Sequence, residues 1–407
     1  MKIVKIKRYF FPPIILLFIT NSFIKAQIPE LVKDINPTGS SNPNQFTIVN
    51  GVLYFKAYTS TDGNEVWKTD GTENGTEILK DIFPGNNSSY PNNLIAYDNK
   101  LFFAADDGSN YEQLWVSNGT EAGTSLLKII NPTSSANLIN SALCDNKLYF
   151  QANNGINDLE LWITDGTTSG TEMVKDIYTG GSSSPNYLTC YNGKLYFSAF
   201  SSMEGHELWV SDGTASGTQM VKNINPGGGS SYPGELTVYN GALYFRANNG
   251  TNGYELWKSD GTTSGTQMVK DIHPSGDGVP FEFTIYNGKL YFVADDGTNN
   301  SQLWVTDGTE AGTQLVKIIN SNGHSNINYF KEYDNELYFR ANDGTHGVEL
   351  WKTDGTTAGT KLVKDIYKSG SSGVSKLTVY NGKLYFIAYG NSGMGNQAWV
   401  YDSDKDS

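Results

Sequence analysis

Between residues 235 and 272 the chain alternates short apolar runs with clusters of turn-forming residues. "ELTVYN" (235–240) alternates in polarity and ends in Asn240-Gly241, a pair that supplies the positive φ angles of a two-residue hairpin. "ALYFRA" (242–247) is largely apolar on both faces, as a strand covered on two sides requires. "ELWKSD" (255–260) is a third run ending in a turn, and "TQMVKDI" (266–272) a fourth. Nothing resembles a long amphipathic helix. The pattern predicts four antiparallel strands.

The unit repeats. All eight tryptophans, Trp67, Trp115, Trp162, Trp209, Trp257, Trp304, Trp351 and Trp399, stand 47 or 48 residues apart. Thirteen residues after each of the first seven comes a lysine: Lys80, Lys128, Lys175, Lys222, Lys270, Lys317 and Lys364. Eight units of four short strands at this period indicate an all-β, eight-bladed β-propeller, because stacking blades in a ring leaves no sheet face uncovered. The last unit supplies only three strands, "KLTVYN", "KLYFIA" and "NQAWVYD", whereas the opening "ELVKDI" carries the orphan Lys33. The N-terminal segment is therefore expected to complete the last blade as its outer strand, beside Trp399. A lysine on every outer strand would discourage edge-to-edge pairing.

Two positions recur too evenly to be specific sites. The tryptophans are expected to pack between blades. Two residues before each stands Glu65, Gln113, Glu160, Glu207, Glu255, Gln302, Glu349 or Gln397, expected to make a buried hydrogen bond to the next blade. Free exchange of Glu and Gln argues against a required charge.

Residues 1–26 read as a secretory signal peptide: Lys2, Lys5, Lys7 and Arg8 precede an apolar stretch broken by Pro12 and Pro13, with cleavage expected near Ala26. The propeller then spans 29–403, followed by an acidic tail, 404–407. The expected product is secreted or periplasmic, without membrane insertion, and monomeric. Losing the leader removes five positive charges and no acids, taking the net charge from −13 to −18. That excludes nucleic acid and anionic surfaces as partners. Cys144 and Cys190, the only cysteines, are too few for a disulfide scaffold and are expected to be small buried hydrophobes.

"ELWKSDGTTSGTQMVKDI" and its copies resemble the ELWxxDGT repeat family of bacterial exported proteins, over essentially all of 29–403. The strand order is also similar to that of kelch propellers. The family resemblance implies export and a propeller without implying an activity. Relatives of this kind often carry a C-terminal sorting domain, whereas this chain ends at "VYDSDKDS".

In such blades the "YNGK" and "DGTxxGT" turns share one face and read as structural. The second-to-third and fourth-to-first loops share the other face, and they vary. Function is expected there. Tyr90, Tyr111, Tyr187, His206, Tyr232, Tyr254 and His346 are the candidate ligand-binding residues, rings that could stack on sugars while Asn, Asp and Ser bond hydroxyls. Phe281 decorates the same loops, as do His273 and His324. No HxH or HExxH spacing marks a metal site, and no catalytic residue is assigned. Asp106-Asp107, Asp295-Asp296 and Asn342-Asp343 could hold Ca²⁺, though Asx-turns explain them; no other cofactor is expected. The expected function is non-enzymatic binding of a glycan or an extracellular protein. The alternative is a carbohydrate-active enzyme, a polysaccharide lyase or glycosidase, using the same face. Its test is whether His206 or His346 lies within hydrogen-bond reach of an acidic or basic partner.

Overall fold

The computed structural model describes residues 31–390 and 395–403. The expected leader and acidic tail lie outside the described residues. Those residues form eight antiparallel sheets, seven of four strands and a last of three, each a meander of consecutive strands. The blades, one to eight, span 44–80, 92–128, 139–175, 186–222, 234–270, 281–317, 328–364 and 375–401. First strands of successive blades touch one another, so they lie nearest the axis and the fourth strands outermost. The chain is an all-β propeller of eight blades.

Tryptophan drives the stacking. In each blade a second-strand Phe faces the third-strand Trp directly, as in Phe245 with Trp257 and Phe292 with Trp304. Each pair then packs on the preceding blade. Tyr239, Tyr244, Leu256, Val269 and Ile272 of blade five cover Leu290, Phe292, Ala294 and Trp304 of blade six. Burying a tryptophan this way contributes several kcal/mol, roughly 3–5 by the cost of truncating one.

Polar contacts fix the blade spacing. The repeated lysine does more than guard an edge: Lys80, Lys175, Lys222 and Lys270 donate to the carbonyls of Thr124, Thr218, Thr266 and Thr313 of the following blade, at 2.7–3.0 Å. On the inner hairpins, Tyr191, Tyr239 and Tyr286 donate to Gly241, Gly288 and Asn335 one blade on. In the "DGTxxGT" turn the Asp260 carboxylate accepts from the backbone N–H and the hydroxyl of Thr262, at 2.9 and 2.7 Å. A Cβ on Gly265 would lie 2.0 Å from Asp260 Oδ1, so only glycine closes this turn.

In blades one to seven the Glu or Gln before the Trp is buried, while Gln397 of blade eight is exposed, and the buried ones do not reach across to the next blade. Glu65 accepts from the backbone N–H groups of Ile82 and Ser89 and from the Ser89 hydroxyl, pinning the connection that leaves its own blade. Gln113 does the same work with the opposite polarity at one atom: its amide donates to the Asn131 and Ser134 carbonyls while its oxygen accepts from Ile130 N–H. Both residue types satisfy the same loop, which explains their exchange.

Two expectations are corrected. Cys144 and Cys190 form a disulfide between the inner strands of blades three and four, because neighbouring inner strands bring their Cα atoms to 5.1 Å. The pairing of residues 31–35 beside Trp399 is not seen: those residues form no strand, and the sheet of blade eight has three. The N-terminal segment instead docks on blade one. Lys33 Nζ donates to the Thr76 carbonyl at 2.7 Å, and Ile35 packs on Phe55, Ala57 and Trp67. These are the contacts a fourth strand makes with the blade that follows it.

Candidate functional site

The inner strands begin at the variable-loop face, and each carries the same irregularity. Register slips between the first and fourth residues of every inner strand, as between Gly234 and Thr237. The second residue takes a left-handed backbone in all eight blades: Gln45, Asn93, Asn140, Tyr187, Glu235, Glu282, Tyr329 and Lys376, with φ between 53° and 60°. None is glycine, so each of these bulges costs on the order of 1 kcal/mol. They set a ring of unlike side chains around the axial end of the variable face. No residue type marks this ring in the sequence; only the period could have located it.

Between blades four and five the ring opens into a cleft of about 570 Å³, lined by Ser184, Asn186, Tyr187, Ser198, His206, Tyr232, Pro233, Arg246, Tyr254, Asp277 and Val279. Four of the seven candidate residues therefore converge: Tyr187, His206, Tyr232 and Tyr254. The His206 ring stacks on Tyr232 at 4.9 Å between centroids, making one wall. Burial holds His206 below the usual imidazole pKa, so the ring is neutral at neutral pH. Burial raises the Tyr254 phenol, keeping it a neutral hydrogen-bond donor. Asp277, the acid among the lining residues, accepts the Tyr254 backbone N–H at 2.8 Å.

Arg246 is the feature that sequence reasoning passed over. It sits on the second strand of blade five, opposite Gly234 of the inner strand. A Cβ on Gly234 would lie 3.0 Å from Arg246 Nε and 3.3 Å from the Tyr187 ring, so a side chain there would crowd both. Arg246 forms none of the ion pairs among the described residues. The signal was available: beyond the leader the chain holds only two arginines, Arg246 and Arg340, at the same repeat position.

The remaining candidates lie elsewhere. Tyr90 and Tyr111, 63% and 50% exposed, belong to the loops of blades one and two. His346 donates or accepts at 2.7 Å with Asp343 Oδ2 within its own loop. That carboxylate raises the His346 pKa. In blade six Asn299 occupies the same place against Asp296 and in blade two Asn110 against Asp107, so His346 is a loop clasp. The turns considered for Ca²⁺ spend their carboxylates likewise: Asp107 accepts from Ser109 N–H, Asn110 N–H and the Asn110 side chain. Among the described residues no three His, Cys, Asp or Glu side chains are grouped to hold a metal. No described helix is long and apolar enough to cross a membrane.

No family model and no curated protein matches the chain. Among solved structures it is similar to puromycin hydrolase, at 14% identity over 86% of this chain and 58% of that one, with a TM-score of 0.42. A structure from an analysis of two prolyl endopeptidases gives 10% identity, 87% and 55% coverage and a TM-score of 0.48. The β-propeller domain of the Trilobed protease from Pyrococcus furiosus gives 11%, 89% and 96%, with 0.39. The chain spans little more than half the length of the first two. At these identities the likeness is one of fold.

Two of these neighbours are named as a puromycin hydrolase and a prolyl endopeptidase and the third as the propeller domain of a protease, and the expected non-enzymatic binder of a glycan or cell-surface protein is corrected on that ground. The site geometry departs from that expectation too. Tyr90, Tyr111 and His346 do not join the other four, and the cleft carries a guanidinium that the expected binding face did not include.

Proposed function

We propose that the chain is a peptidase-type propeller whose variable face recognises peptide substrate in the cleft over blades four and five. One observation carries this reading: Tyr187, His206, Tyr232 and Tyr254 line one cleft with Arg246, which forms none of the ion pairs among the described residues. Tyrosine walls with a few fixed polar groups suit side chains and amides together. Photo-crosslinking with a pool of short labelled peptides tests it. Label should fall on this cleft, and Tyr232→Ala and Tyr254→Ala should each weaken binding about tenfold, in keeping with the loss of a buried aromatic contact. Labelling spread evenly over all eight blades would refute it.

The same reading includes ring closure, with residues 31–35 completing blade eight. The Lys33 and Ile35 contacts to blade one support this, since Lys80 and Ile82 make the corresponding contacts to blade two. Tyr380 is 59% exposed, whereas its counterparts Tyr286 and Tyr333 are buried by the following blade. Closure would cover it. Export through the N-terminal leader, and membership of the ELWxxDGT repeat family, are part of the proposal. The Cys144–Cys190 disulfide supports an oxidising compartment.

A further inference from the structure

We propose that Arg246 binds the terminal carboxylate of the peptide, making the ligands of this cleft peptides with a free C-terminus. The inference rests on the reading of the cleft as a peptide site and adds which end of the peptide is held.

The two arginines provide the contrast. Each stands on a second strand, next to the left-handed residue of the preceding blade's inner strand. For Arg340 that residue is Glu282, whose carboxyl it attracts, and its guanidinium also lies 4.8 Å over the Tyr329 ring. For Arg246 it is Tyr187, which offers a ring and no charge. Neither arginine forms an ion pair among the described residues, but Arg340 has an acidic neighbour and a stacked ring in that place, whereas Arg246 has a ring alone and opens into the cleft.

The rest of the cleft narrows the choice of anion. Asp277 spends one carboxylate oxygen on the Tyr254 backbone N–H and keeps its negative charge, and Arg246 is the one lysine or arginine lining the cleft. A single planar fork matches one carboxylate through two parallel hydrogen bonds. A dianionic phosphate would set two further negative charges beside Asp277 against a single guanidinium, one more than a carboxylate does. The stacked His206 and Tyr232 rings form a wall for the side chain next to that carboxylate. An amidated terminus would turn an N–H donor toward guanidinium donors and lose the pairing.

Fluorescence anisotropy with N-terminally labelled Ala-Ala-Phe, its C-terminal amide, and amidated Ala-Glu-Phe-NH₂ tests this on the full chain. The free acid should bind about 30-fold more tightly than either amide, the range for a hydrogen bond to a charged group. Arg246→Gln should bring the free acid down to the amide level, Arg246→Lys should fall between, and Arg340→Gln should leave the preference intact. Thermal melts matching wild type would show that Arg246→Gln is folded, and the Lys variant gives an independent readout. Equal binding of acid and amide to the wild type overturns the carboxylate inference while the peptide site stands. Amidated Ala-Glu-Phe binding as tightly as the free acid moves recognition to a side-chain carboxylate and also overturns it. No binding of any of the three peptides overturns the peptide site itself.

Discussion

The disulfide between blades three and four gives a quantitative prediction. Cys144 and Cys190 are separated by 46 residues, and a cross-link closing a loop of that length lowers the entropy of the unfolded chain by about 4 kcal/mol at room temperature. Unfolding about 370 ordered residues, at about 2.1 cal/mol/K each, gives an entropy near 0.8 kcal/mol/K, so losing the bridge should lower Tm by about 5 °C. The perturbation is the double variant Cys144→Ala/Cys190→Ala, compared with wild type melted with and without a phosphine reductant. Cys144 is buried against Tyr149 and Leu161, so trimming its sulfur adds a small packing loss that the reduced wild type does not share. Calorimetry of all three samples separates the two effects. Hydrogen exchange should rise first along Ile139–Cys144 and Asn186–Tyr191, the strands the bridge joins. Oxidised and reduced protein melting within 1 °C of each other, on the order of a fifth of the expected shift, would refute the reasoning. So would two titratable thiols in the native oxidised protein.

Three further outcomes follow from the same geometry. Burial pushes the Glu65 carboxyl up to about 7, so the folded state holds a proton that the unfolded state releases near 4.5. Its contribution is complete below that unfolded value and is lost as pH rises through 7, by up to about 3 kcal/mol; Glu65→Gln should flatten this part of the stability–pH curve measured by urea titration. Gly265→Ala puts a methyl 2.0 Å from Asp260 Oδ1 and should cost about 2 kcal/mol by the same titration, with little change in peptide binding. Under ring closure, Lys33→Ala should loosen blade eight as well as blade one. Exchange should then increase along Lys383–Tyr389 as well as Val52–Thr59, and a response confined to blade one would argue against closure.

The tryptophan period exposed the blades because every blade meets its neighbour through the same residue. Asn240-Gly241 exposed the hairpins because a two-residue turn needs positive φ at both positions. The disulfide was hidden because Cys144 ends one inner strand whereas Cys190 lies one step short of the end of the next, a stagger visible only once the strands are side by side. The left-handed ring was hidden for a different reason. Tyr187, Glu235, Glu282 and Lys376 adopt a backbone that their own side chains disfavour, imposed by the register slip around them. Four of the eleven lining residues were legible as rings on the variable face. Arg246 was not, because inside "ALYFRA" it occupies a strand whose pattern reads as core, and only its neighbours on blade four and on the connections either side of blade five reveal an open side.

Hydrogen–deuterium exchange with and without bound Ala-Ala-Phe tests the central claim most directly. The account predicts protection confined to residues 184–187, 198, 206, 232–233, 246, 254 and 277–279, the segments that line the cleft. Protection at the opposite face instead, around Asn50, Asp98, Asn99, Asp145 and Asn146, where a second cavity of about 590 Å³ lies, would contradict it.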